Sequence, residues 1–175
     1  MTAPAPRTSL GGLLAAIMDT ALQTLAAELA GTVSGPIGHT FLVPGTAVAA
    51  DWCCPGDCAS GPCGQAWVRL VQLYPTRVFP APDATWSKVP SVDSAIQLEL
   101  GVLRCVAGLG ENGEAPAPEE MTADAIAALD DAAALRAAAQ RALAPRRVVL
   151  GGYTAAGPQG YCAGGTQLFT AAISC

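Results

Sequence analysis

The sequence is poor in the groups that do chemistry. It holds one histidine, His39, one lysine, Lys88, and only 13% charged residues. Globular proteins carry about a quarter of their residues as charges. A single histidine with no cysteine, serine or carboxylate pair close by in the sequence reads as structural. The arginines are scattered and the formal net charge is -5. Without clustered cations there is no groove built to grip phosphates, so sequence-specific DNA or RNA binding is not expected. A mildly acidic surface would let nucleic acid pass without sticking. No uninterrupted apolar run reaches membrane-spanning length, so no membrane partner is expected. The N-terminus superficially suggests a signal peptide, but Asp19, Gln23 and Glu28 break into its apolar run at helical spacing.

Sites with recognisable chemistry are equally scarce. Neither GxxxxGK[ST] nor GxGxxG occurs, and the GGY and CAGG segments read as turn or bulge glycines. Asp130 with Asp131, and Glu119 with Glu120, have no histidine partner in sequence and read as solvated charge. We therefore expect no catalytic residue, no cofactor and no enzyme.

Cysteine is the exception. Four of the seven, Cys53, Cys54, Cys58 and Cys63, fall within eleven residues, in a loop placed at 51–64. Zinc sites usually use two CxxC-type knuckles, which this spacing is not, so no metal is expected. Cys162 in GYCAGG has no base beside it and is not a nucleophile motif. Disulfides within the loop, or from the loop to Cys162, would staple a segment with little core of its own; free thiols are the alternative.

The remaining residues outline one domain over 1–175. Residues 1–7 read as a flexible Pro-rich tail. Thr8 or Ser9 caps a helix running to Ala30, with Gly31 just past its end. Leu14, Ile17, Met18, Ala21, Leu22, Leu25 and Leu29 give it one apolar stripe. Short strand pieces follow around residues 39–43 and 46–48. The stretch QAWVRLVQLYPTRVF, 65–79, is the longest strand-forming run, and Pro75 should end or bend it. In 96–106 Ile96, Leu98, Leu100, Val102 and Arg104 alternate with Gln97, Glu99, Gly101, Leu103 and Cys105, as in a strand. A second helix is expected over 123–143, capped by Thr122 and stopped by Pro145. Ile126, Leu129, Ala133 and Ala137 make its apolar stripe, with Leu135, Ala139 and Leu143 beside it. Strand-like segments RRVVLGGYT and TQLFTAAIS close the chain. This order predicts an α+β fold: a mostly antiparallel sheet of four to six strands with two helices packed on it.

The Cys-rich turn running into CGQAWVRLVQLYP, then QLELGVLRCV, then VLGGYTAAGPQGYCAGGTQLFTAAI, resembles the tail terminator (tail completion) proteins of siphophages of actinobacteria. The resemblance covers most of residues 10–174. It implies a structural virion protein, assembled in the host cytoplasm and located at the head–tail interface. Such a protein forms a homohexameric ring on the tail tube, ends tube polymerisation and offers a docking surface to the head–tail connector or stopper protein. Its partners would be itself, the major tail tube protein and that connector, with genomic DNA passing through the lumen. Arg69, Arg77, Trp86 and the loops around Cys58 and Gly157 are then candidate interface positions, chosen for expected exposure. Two other readings remain: another connector or minor tail subunit, and a secreted disulfide-stabilised binding domain.

Overall fold

The computed structural model describes residues 9–48, 50, 63–83, 93–110 and 112–173. Seven elements follow in order: α1 (Ser9–Ala30), β1 (His39–Val43), β2 (Gln65–Thr76), β3 (Asp93–Cys105), α2 (Pro118–Arg141), β4 (Val148–Gln159) and β5 (Cys162–Ile173). The strands form one five-stranded sheet in the order β1-β2-β3-β5-β4. Only β1 pairs in parallel, with β2; every other pairing is antiparallel. The fold is α+β, as the order of periodic segments implied. The tail expected at 1–7 lies outside the described residues.

The centre of the sheet is β3, although 65–79 is the longest strand-forming run. The alternation in β3 explains why. Ile96, Leu98, Leu100 and Val102 are all fully buried on the face that meets the helices. Phe169, Ala171 and Ile173 of β5 join them, as do Ile17, Ala21, Leu25 and Leu29 of α1. Burying a large aliphatic side chain contributes roughly 1.5–3 kcal/mol, so this layer dominates stability. α1 is also long and apolar enough to cross a bilayer by length and composition. Packing inside the fold accounts for Ile17, Ala21, Leu25 and Leu29, the buried residues of that helix.

A second, smaller cluster of Val43, Trp67, Leu103 and Cys162 lies on the opposite face. The Trp67 ring packs directly against Gly101. A Cβ at Gly101 would fall 2.1 Å from the ring, so only glycine fits there.

The structure departs from several expectations. Gly31 does not take a left-handed conformation; α1 ends in a tightened turn, with the Gly31 and Thr32 N–H groups donating to Glu28 and Leu29. Residues 46–48 are not strand. Pro75 does not end β2, which pairs on through Thr76 after a bulge between Leu70 and Gln72. Pro75 is tolerated because β1 covers β2 only from Gln65 to Arg69, so its missing N–H lies beyond the paired stretch. α2 starts at Pro118, earlier than the expected Thr122 cap. Proline is pre-organised for the first helical position. Glu120 accepts the Ala117 N–H at 3.0 Å, and Glu119 and Glu120 stand in the first turn, where the helix dipole favours carboxylates. The Gly/Pro-rich AAGPQGYCAGG segment is not a break between strands; it forms the arms and tip of the β4–β5 hairpin.

The largest correction concerns the faces of α2. The expected stripe is turned outward at Leu129, 72% exposed, and Ile126, 56% exposed, whereas Leu135, Ala139 and Leu143, expected beside it, are buried. The buried face is Asp131, Ala134, Leu135, Ala138 and Ala139. Alanine surrounds this helix on every side, so its apolar periodicity is weak and a polar contact decides which way it faces.

Candidate functional site

That contact is an arginine clamp. Arg104 lies on the apolar face of β3, where an unpaired cation would be costly. Its Nε donates to Asp131 Oδ2 at 2.9 Å and its Nη2 to Asp131 Oδ1 at 3.0 Å. Nη2 also donates to the Thr32 hydroxyl at 3.2 Å. Nη1 reaches the carbonyls of Ser34 and Pro36, each at 3.4 Å. The side chains of Arg104 and Asp131 are 11% and 2% exposed. The clamp thus joins β3, α2 and the α1–β1 turn at one point. Asp130 adds a second tie, accepting the Val33 N–H at 2.8 Å. The two aspartates read as solvated charge are therefore structural acceptors. A cleft of about 360 Å³ lies beside the clamp, lined in part by Cys63, Cys105 and Asp124.

On the opposite face, Arg69 makes a bidentate pair with Glu99, at 2.6 and 2.8 Å. Glu99 also accepts from the Trp67 indole at 3.3 Å. The hydrogen bond to Glu99 raises the Arg69 pKa above its ordinary value, with burial opposing. Arg69 was expected as an exposed interface residue; it is instead largely enclosed and committed to Glu99. Arg77 is half-exposed and paired with Asp83 at 2.8 Å.

Gly157 sits at a bulge of β4 with φ 95°. A Cβ there would lie 2.6 Å from the Cys162 carbonyl, so the hairpin requires glycine at this position. Trp86, Cys53, Cys54 and Cys58 lie outside the described residues, as does most of the 51–64 loop. Cys162 is buried and disulfide-bonded. The described interface candidates are not brought together. Arg69 is on the outer sheet face, Arg77 follows the end of β2, and Gly157 is on β4 at the opposite end of the sheet.

Sequence reasoning missed three features. Asp131 and Glu99 could have been sought from the arginines that need them, since a strand that alternates cleanly and then places Arg104 on its apolar face calls for a buried carboxylate. Tyr153 could not. Its hydroxyl donates to the Gly164 carbonyl at 3.2 Å; burial, then the Asp131 charge, raises its pKa. Among the described residues no three His, Cys, Asp or Glu side chains gather as a metal site.

β4 is an edge of the sheet, twelve residues long and exposed or half-exposed throughout. It carries no charged side chain. Bulges between Leu150 and Tyr153 and between Ala156 and Gln159 bound its most regular outer stretch. A scan of protein-family models finds no match to the chain, and a search of curated proteins finds no similar sequence.

Proposed function

We propose that the chain is a structural virion subunit of the tail-terminator kind. It assembles into a hexameric ring that caps the phage tail tube, ends tube polymerisation and receives the head–tail connector. The observation that carries this reading is the β4 edge. Natural edge strands are guarded by charge, proline or bulges; between its two bulges, residues 153–156 of β4 form a regular stretch with no charge or proline, a template for pairing with another chain. β1 covers only part of β2 on the other side, so among the described residues the sheet ends in two different edges. Joining unlike edges is heterologous, and a heterologous contact that closes makes a ring. The three segments that carry the resemblance are β2, β3 and the β4–β5 hairpin, which are neighbours in this sheet. The subunit would do its work at the head–tail interface of the virion, by positioning partners rather than by chemistry, with the genome passing through the ring.

The test is to add purified protein to polymerising tail tube protein and measure tube length by electron microscopy. Tubes that stop growing and carry a ring at one end support the reading. Tubes of unchanged length with no bound protein overturn it. The Cys162 disulfide favours a second reading, a secreted disulfide-stabilised binding domain. A strict monomer that ignores tubes and loses stability in reductant would select that one.

A further inference from the structure

The charges of this chain are segregated along its second half. From Glu111 to Asp131 every charged residue is acidic, and from Arg136 to the end every one is arginine. The fold turns this order into two different surfaces. One is the N-terminal half of α2. Met121, Ile126 and Leu129 are 56%, 56% and 72% exposed there. Glu119 and Glu120 flank them, while Asp124 is half-buried and accepts the Ala107 N–H at 2.9 Å; no lysine or arginine occurs between Arg104 and Arg136. Asp131 is spent on Arg104, but the first-turn glutamates make no ion pair among the described residues.

The other surface lies where α2 ends and α1 begins. A groove of about 500 Å³ opens there, lined by Leu13, Ala16, Ile17, Leu143, Pro145 and Arg146. It is apolar along its floor, with Arg146 at its rim and Arg147 next in the chain. Both arginines are exposed. Neither makes an ion pair among the described residues, although Arg147 lies 5.0 Å from the centroid of the Phe79 ring.

We infer that the acidic apolar face of α2 docks into the arginine-rimmed groove of a second copy of this chain. An apolar ridge with acidic flanks and an apolar groove with a basic rim are complementary in shape class and in charge. Such complementarity speeds encounter and selects partner and register. The two surfaces are different patches of one chain, so the contact is heterologous and repeats from copy to copy. This rests on the ring reading only in taking a second copy as the partner. It adds a helical-layer contact to the sheet edges considered above.

The experiment uses two variants of the full chain. Leu129→Asp spoils the ridge and leaves the groove; Arg146→Glu with Arg147→Glu spoils the groove and leaves the ridge. All three positions are exposed, and circular dichroism checks that each variant is folded. Ile126→Asp replaces Leu129→Asp if the latter is not. Mass is measured by sedimentation equilibrium from about 1 to 100 μM. Wild-type chain associates, each variant alone is weakened about 100-fold or more, and an equimolar mixture forms a 1:1 heterodimer that grows no further. Association of the wild type also weakens as salt rises. Wild-type association that neither variant changes overturns this surface and leaves the ring reading standing. Two monomeric variants whose mixture stays monomeric overturn the heterologous pairing. A wild-type chain that is monomeric throughout overturns it as well, while tube capping still decides the ring reading. Association as described without tube capping keeps this surface and removes the ring reading.

Discussion

Replacing Asp131 by Asn is the sharpest probe of how this fold is held. The change keeps the shape of the side chain and one acceptor but removes the charge that faces Arg104. The guanidinium is already out of water, with its side chain 11% exposed. Its remaining partners are a hydroxyl and two long carbonyl contacts. Breaking a buried ion pair by removing one partner costs about 3–5 kcal/mol. Asn keeps some hydrogen bonding, so the lower half of that range applies, about 3 kcal/mol. A domain of this size is stable by roughly 5–15 kcal/mol in total. Urea unfolding at pH 7 should show the midpoint falling with an unchanged slope. Arg104→Met with Asp131→Leu removes both charges together, and it should recover most of the loss because a well-packed apolar pair often replaces a buried ion pair at no cost. A loss below about 1 kcal/mol for Asp131→Asn, or a double variant as unstable as the single, would refute the claim that this pair carries the joint between β3, α2 and the α1–β1 turn.

Four further outcomes are expected. Leu135→Ala should cost about 2–5 kcal/mol and Leu129→Ala under about 0.5; equal losses in chemical denaturation would mean the faces of α2 are misassigned. Gly101→Ala forces the Trp67 ring off the sheet and should cost about 1–3 kcal/mol, with a shift in tryptophan emission; an unchanged emission spectrum counts against the contact. Tyr153 has a raised folded pKa, caused first by burial. Its contribution is therefore full below the ordinary value near 10 and is lost as pH rises through the folded value. Absorbance titration should show one tyrosine ionising late, and Tyr153→Phe should remove that late step. Glu99→Gln should weaken the Arg69 tie and leave the Trp67 indole an acceptor, so stability should fall while tryptophan emission changes little; a large emission shift would mean Glu99 holds the indole by its charge.

How much could be read from the sequence follows from the range of the forces involved. Local periodicity was enough for α1, whose stripe of Ile17, Ala21, Leu25 and Leu29 is buried as expected. It was enough for β3 too, whose alternation assigns each residue to a face. Both carry a strong contrast between apolar and polar positions, and that contrast acts between neighbours in the chain. The sequence by itself thus determined the two helices, the order of the main strands and the α+β class, though not the piece at 46–48, which is not strand. It could not place β3 at the centre, because centrality depends on which strands pair and pairing joins residues far apart. It could not show that β1 runs parallel to β2, since that depends on the path of the connection. The facing of α2 was decided only in three dimensions. Alanine on every side makes its faces nearly equal in apolar burial, and Arg104, twenty-seven residues before Asp131, breaks the tie. Arg69 shows the same limit in reverse: a charge in a strand looks exposed until its carboxylate, thirty residues on, folds beside it.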